Sequence, residues 1–178
     1  MQYIYCGIDW GFSVDPVVFM RVAYDRKTET VYFLDEIYKK HCSNSNFAKE
    51  IIAKGYDKTD GERYYSVFGG DYGERRQLII ADNAEPKSIA DLRGMGLKVI
   101  ACQKYPGCVL YRIKWLQNRR LVIDPKRTPN AHREFSTYEY LTDKDGVFLA
   151  DVPDANNHCI DSVSYALDRI INQRKASA

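Results

Sequence analysis

Neither sign of charge predominates in this chain. Its 178 residues carry 26 Lys and Arg against 24 Asp and Glu, a net charge of +2, which gives no bulk attraction toward a polyanion and requires any basic surface to be local. Cysteine offers no framework either: Cys6, Cys42, Cys102, Cys108 and Cys159 are odd in number and contain no CxxC pair. That spacing disfavours both a disulfide scaffold and a zinc site drawing on His41 or His158. Buried free thiols in a reducing cytoplasm are the expectation, and the first residues do not form the pattern of an export signal. No apolar stretch approaches the roughly 20 residues that cross a bilayer, so no membrane partner is expected. Internal repeats, a linker and the G-x-x-x-x-G-K-[ST] phosphate loop are also missing. What remains is a soluble single domain over 1–178, long enough to bury a continuous core.

Hydrophobic periodicity orders the rest. The run from Tyr3 to Asp9, the run from Val17 to Tyr24 and that from Thr30 to Tyr38 read as strands, with polar Asp25 to Glu29 as a hairpin loop. Asn44 or Ser45 caps a helix that sets Phe47, Ala48, Ile51 and Ile52 on one face and stops at Gly55. Tyr56 to Gln77, with Gly61, Gly69, Gly70 and Gly73, keeps no period and reads as a long loop with room for a short hairpin. From Leu78 the pattern alternates. Leu78 to Ala81 is a buried strand, Pro86 to Arg93 a helix, Leu97 to Ala101 a strand, and Pro106 to Asn118 a helix before the short strand Leu121 to Ile123. Thr128-Pro129 starts a further helix to about Tyr138, Asp143 to Gly146 makes a hairpin turn, and one last helix runs from about Asn157 to Gln173. The tail after Arg174 is expected to fray. This order predicts an α/β fold, a mixed sheet flanked by helices with a hairpin added before the last helix.

Three acids are placed in a way that composition does not reveal. Asp9 ends the first strand and Asp82 ends Leu78 to Ala81, and if those strands are parallel neighbours both carboxylates lie at the sheet edge where α/β proteins bind ligands. The last helix opens Asn156-Asn157-His158-Cys159-Ile160-Asp161, which sets His158 and Asp161 three apart on one face. Each residue alone has a structural reading: a turn at Asp9, an Asx-turn or cap at Asp82, a dipole partner at Asp161. Together they gather negative charge that a hard divalent cation would neutralise, since such ions take oxygen ligands and leave room for water and phosphate.

Four segments carry a family resemblance: Gly7-Ile8-Asp9-Trp10-Gly11-Phe12 followed by Asp15-Pro16, Ala81-Asp82-Asn83-Ala84-Glu85-Pro86-Lys87-Ser88-Ile89, the hairpin from Asp145-Gly146 to Pro153, and Asn157-His158-Cys159-Ile160-Asp161-Ser162-Val163-Ser164-Tyr165. They resemble the C-terminal nuclease domain of the large terminase subunit of tailed bacteriophages. The resemblance implies a ribonuclease-H-like fold and cutting of double-stranded, concatemeric viral DNA during genome packaging in the host cytoplasm, with little sequence specificity. It also implies Mg²⁺ or Mn²⁺ at Asp9, Asp82 and Asp161 with His158 beside them. An ATPase motor domain outside this chain, a small terminase subunit and a portal are the partners it implies. One departure stands in the last helix, where an Arg is expected before the tyrosine and Ser164 occurs instead.

Two metal ions suit phosphodiester hydrolysis, with Asp9 as the shared ligand, Asp82 holding one ion and Asp161, helped or replaced by His158, the other; a hydrogen bond from the neutral imidazole to the water or to a phosphate oxygen is the second role open to His158. Lys104, Arg112, Lys114, Arg119 and Arg120, with Arg75 and Arg76 from the long loop, are the expected DNA contacts, of a kind that positions a duplex without reading it. Rival readings are another ribonuclease-H-like enzyme, a Holliday-junction resolvase or a transposase-type strand transferase, and a non-catalytic assembly module. An actin-like nucleotide-binding fold, suggested by Asp9-x-Gly11 alone, needs two such halves and exceeds this length.

Overall fold

The computed structural model describes residues 3–11, 15–65, 71–147, 149, 151–153 and 155–173, with the backbone alone for 60–65 and 71–75. β1 (Tyr3–Asp9), β2 (Val17–Asp25) and β3 (Thr30–Lys39) form an antiparallel meander, with a bulge between Arg21 and Val22. The β2 to β3 turn is held by Asp25, whose carboxylate accepts from the Lys27 amide at 2.8 Å. β6 (Leu78–Ala81) adds in parallel to β1, β7 (Lys98–Ala101) in parallel to β6, and β8 (Arg120–Val122) in parallel to β3. The resulting order is β7-β6-β1-β2-β3-β8. Unbroken apolarity in Leu78-Ile79-Ile80-Ala81 suits a strand covered on both faces.

Strand alternation in β1 explains the layers. Cys6 and Ile8 face α1 (Asn44–Ala53) and α2 (Pro86–Gly94), in a core with Phe19, Ile37, Phe47, Ile51, Ile79 and Leu92. The opposite face carries α3 (Cys108–Gln117), α4 (Pro129–Thr137), α5 (His158–Ala166) and α6 (Asp168–Gln173), packed through Trp115, Leu116, Ala131, Ile160, Val163 and Ile171 on Val18, Met20, Val22 and Phe33. Gly7 lets α5 approach the sheet at its centre. A Cβ there would collide with the carbonyl oxygen of Ser162 and the amide of Ala166, both backbone atoms that cannot swing aside.

Several expectations are corrected. Ser43, not Asn44 or Ser45, caps α1, because its hydroxyl is the one that reaches the Asn46 amide, at 3.3 Å. Gly107 has φ of 76°, a left-handed turn that a helix cannot contain, so α3 starts after it and not at Pro106. Within the run expected to be a long loop with room for a short hairpin, β4 (Lys58–Tyr65) pairs antiparallel with β5 (Asp71–Arg76) in a separate two-stranded sheet, more regular structure than that expectation gave it. Glycines scattered along those strands hid their alternation. The long terminal helix breaks at Leu167 into α5 and α6, and at the break Asp168 turns inward to Arg112. The turn at Asp143 to Gly146 is present, with the Gly146 amide on the Asp143 carbonyl at 3.2 Å and the Leu149 amide on the Leu141 carbonyl at 2.7 Å. All five cysteines are free thiols, Cys42 alone being less than fully buried. The tail from 174 lies outside the described residues.

Arg112 is the clearest reversal. It is 2% exposed and donates at 2.6 Å both to the Asp168 carboxylate and to the Gln103 carbonyl, so it pins α3 to α6 and does not face solvent, where a DNA contact would have to lie. Burial works against its charge, but the hydrogen bond to Asp168 and the charge of that carboxylate together hold its pKa above the ordinary value. Arg112→Ala should cost about 3–5 kcal/mol by stranding Asp168, a fall in Tm of roughly 10 °C or more for a domain of this size. Lys114→Ala, on the exposed face of the same helix, should leave Tm nearly unchanged; equal melting of the two would refute the buried-pair reading. Gly7→Ala should cost about 3 kcal/mol by overpacking α5 against β1, and thermal denaturation at wild-type temperature would show that the approach is looser than described.

Candidate active site

Parallel pairing of β1 with β6 sets Ile8 beside Ala81, and the next rung is Asp9 beside Asp82. Two ties hold that rung: the Asp82 amide donates to the Ile8 carbonyl at 2.9 Å, and the Trp10 indole donates to the Asp82 carbonyl at 2.9 Å. From the other side Ser162 donates to the Gly7 carbonyl at 3.0 Å, which seats the first turn of α5 over the end of β1. His158 Nδ1 consequently meets Asp9 Oδ2 at 2.9 Å. Asp161 Oδ2 accepts from the Asn157 side chain at 2.9 Å. The structure therefore brings Asp9, Asp82, His158 and Asp161 to one cleft of about 790 Å³.

Charge in this cleft is crowded. Burial raises the Asp9 pKa above the ordinary carboxylate value, the charge of Asp82 adds to that, and the bond from His158 opposes it. The same bond to Asp9 is the main reason the His158 pKa is raised, against its burial. An ionised carboxylate only accepts, so Nδ1 carries the proton in this pair. Nε2 then faces the opposite way, 3.8 Å from Asp15 Oδ1. Tyr165 lies under the acids, its pKa pushed well up by burial and then by Asp161, Asp82 and Asp9.

Asp82 has two partners already. Its Oδ1 accepts from the Ala84 amide at 3.1 Å, the Asx-turn that the sequence allows, and lies 2.5 Å from Lys104 Nζ. Burial opposes the Lys104 charge, but Asp82 outweighs it and raises the ammonium's pKa. As the side chains stand, no three His, Cys, Asp or Glu groups among the described residues lie close enough to share a metal ion. The donor set nevertheless fits a hard divalent cation: carboxylate oxygens and one imidazole facing a common, open cleft.

The basic residues do not form one face. Lys104 lines the cleft. Lys114 and Arg120 are exposed, and Arg119, with its side chain 5% exposed, stacks over Trp115 at 4.3 Å and lies 3.7 Å from Glu29. Arg120 pairs with Thr30 at the start of β3, whereas Asp9 is level with Tyr38 at the other end. Those eight residues of strand separate Arg120 from the cleft by roughly 25 Å. Arg76 donates to the Gly96 carbonyl at 2.7 Å, and the Arg75 side chain lies outside the described residues. Sequence reasoning overlooked Trp10, Asp15, Asn157 and Tyr165 as parts of this cleft, although all four stand within or beside the segments it quoted. Ser164 is buried and donates to the Asp161 carbonyl at 2.8 Å.

Comparison with known proteins agrees with this geometry. Residues 9–169 match the family described as the terminase RNAseH like domain. The large terminase subunit of Bacillus phage SPP1 is 32% identical over 167 residues, which cover 92% of this chain and 35% of that protein. The PBSX phage terminase large subunit of Bacillus subtilis is 27% identical over 162 residues, 91% of this chain and 33% of that protein. The chain thus spans about a third of the curated relatives it matches. Among solved structures, the nuclease domain of the SPP1 large terminase with bound Mn superposes with a TM-score of 0.79 at 32% identity, covering 94% of this chain and 86% of that one. The nuclease domain of the P22 large terminase shares the fold, with a TM-score of 0.64 at 12% identity over 95% of this chain and 81% of its own. From its first strand-end aspartate to its last helix, this chain belongs to the ribonuclease-H-like nuclease domain family of terminase large subunits.

Proposed function

We propose that this chain is a single nuclease domain, an endonuclease that hydrolyses double-stranded DNA with little sequence preference using two divalent ions, Mg²⁺ or Mn²⁺, and that it cuts concatemeric viral DNA during packaging. The observation that carries this reading is the convergence of Asp9, Asp82, Asp161 and His158 on one cleft from two adjacent strand ends and one helix start. The Mn held by the SPP1 relative supports the choice of ion. An ATPase motor, on the part of a large subunit that this chain does not span, completes the assembly together with a small subunit and a portal.

Asp9, Asp82 and Asp161 are the residues that would hold the ions, with His158 Nε2 as a further ligand or a proton acceptor. Bound divalent cations supply the positive charge that gathers the scissile phosphate and makes a water nucleophilic. The chain's own contribution is placement. The Asp82 amide and the Trp10 indole lock the two strand ends together. His158 orients the Asp9 carboxylate through Nδ1. Lys104 lines the cleft, and its ammonium would meet an incoming phosphate there.

Asp9→Ala, Asp82→Ala and Asp161→Ala should each lower nicking and linearisation of supercoiled DNA by more than about a hundredfold, beyond the 10–100-fold typical of outer partners. His158→Ala should keep a measurable fraction, more with Mn²⁺ than Mg²⁺, because water replaces an imidazole more readily than a shared carboxylate. Without metal, the aspartate variants should melt at or above the wild-type temperature, since each relieves repulsion. Undiminished cutting in EDTA, or a well-folded aspartate variant cutting at the wild-type rate, would refute the assignment. Binding of catalytically dead protein to duplex DNA should be weak and fall steeply with salt, with equal affinity for unrelated sequences; a footprint on one sequence at elevated salt would contradict it.

A further inference from the structure

α5 carries His158 and Asp161 on its first turn, yet its cap residue does not cap it. Asn157 makes no side-chain bond to the helix amides, and its Nδ2 donates instead to the Asp161 carboxylate. The first-turn amides of a helix must nonetheless be satisfied when buried. Here the acceptor comes from another helix. Glu134 of α4 is 2% exposed, and its Oε2 accepts from the Cys159 amide at 2.6 Å. The Ile160 amide also faces that carboxylate. Burial raises the Glu134 pKa, and these amides oppose the rise.

The helix that supplies Glu134 is itself seated in the same manner. Thr128, the cap of α4, makes no side-chain bond to it. Glu36 of β3 does so instead, accepting from the Asn130 and Ala131 amides at 2.9 Å each and from the Asn130 side chain at 2.7 Å. At the far end of α4, the Tyr138 hydroxyl donates to the Pro153 carbonyl at 2.7 Å, on the segment leading into α5. α4 is thus a bracket from the sheet to the start of α5, and a carboxylate seated on a helix N-terminus makes each joint favourable through the helix dipole. A buried carboxylate costs several kcal/mol unless oriented donors meet it. The donors that meet this one belong to the turn between His158 and Asp161.

We propose that Glu134 is a positioning residue for the active site: reaching from α4 to the Cys159 amide, it fixes the turn that holds His158 against Asp9 and aims Asp161 into the cleft. This rests on the reading of His158 and Asp161 as metal-site residues. Catalytic groups have to be held within about 0.5 Å, and a cap set by a neighbouring helix constrains the turn in three dimensions, which Asn157 alone would not.

The test compares wild type, Glu134→Ala, Glu134→Gln and Phe135→Leu. The last is a control on the same helix, where Phe135 packs edge-on to Phe33 at 5.0 Å. Hydrogen exchange of the Cys159 to Asp161 amides is measured without metal, Mn²⁺ affinity by calorimetry, and Tm for each protein. Glu134→Ala should speed exchange of the Cys159 amide at least tenfold and weaken Mn²⁺ binding by about 10-fold or more. Glu134→Gln, which keeps an acceptor oxygen, should stay within about threefold of wild type on both readouts. Phe135→Leu should keep wild-type Mn²⁺ affinity even where its Tm falls as far. If Glu134→Ala does not fold, Glu134→Asp, one methylene too short to reach, takes its place with the same expectations. Wild-type exchange in the Ala or Asp variant overturns the proposal, as does loss of Mn²⁺ binding in Phe135→Leu at matched Tm, or failure of Gln equal to that of Ala. A wild-type protein that binds no Mn²⁺ would instead defeat the metal reading, and the exchange data would still decide whether Glu134 holds the turn.

Discussion

One hydrogen bond, from the Asp82 amide to the Ile8 carbonyl at 2.9 Å, sets the problem the rest of the molecule solves. It extends the parallel ladder of β1 and β6 by a rung and thereby forces two carboxylates side by side at the sheet edge. Adjacent strands lie about 5 Å apart, and two unit charges at that spacing repel by about 3 kcal/mol at an effective dielectric of 20. That is a large share of a typical folding free energy. The chain answers with partners for each acid: His158 on Asp9, Lys104 and an Asx-turn on Asp82, Asn157 on Asp161. None of these partners closes the cleft, so the site remains open to solvent.

The helix that completes the site depends on a missing side chain. Gly7 allows the backbone of α5 at Ser162 and Ala166 to rest on β1, and the Ser162 hydroxyl fixes that contact by donating to Gly7. With the middle of α5 pinned, its first turn can still pivot about that contact. Glu134 and the bond between His158 and Asp9 both act against the pivot, one from the outer side and one from within the cleft. Packing therefore determines where α5 lies, and polar contacts determine where its first turn points.

How far the sequence could be read follows from the range of each interaction. β1, β2, β3, β6 and α5 were legible because alternation and helical spacing are local signals, and they carry Asp9, Asp82, His158 and Asp161. β4 and β5 were legible only as room for a short hairpin, since glycines interrupt their alternation. The break at Leu167 was hidden because the apolar stripe continues through it to Ile170 and Ile171; only the inward turn of Asp168 to Arg112, 56 residues away, marks it. Glu134 left a faint trace, a carboxylate on the same face as Ala131 and Phe135. A charge on an apolar stripe implies a buried partner without naming it, and the partner here is a backbone amide, which no sequence pattern can display.

The basic residues show the same limit in its sharpest form. Lys104 and Arg112 are eight positions apart around one helix start, and composition treats them alike. Arg112 is sealed against Asp168, where one guanidinium nitrogen, Nη2, donates to two acceptors at once, and its charge is permanent. Lys104 ends in a compact ammonium on a flexible stem, in an open cleft beside Asp82. A guanidinium so buried can serve only the fold, whereas an exposed ammonium can leave one anion for another without leaving a buried charge behind. Within the cleft Lys104 supplies the positive charge beside Asp82. Lys104, its side chain open to solvent, therefore neutralises Asp82 without the desolvation cost that the sealed Arg112 pair carries.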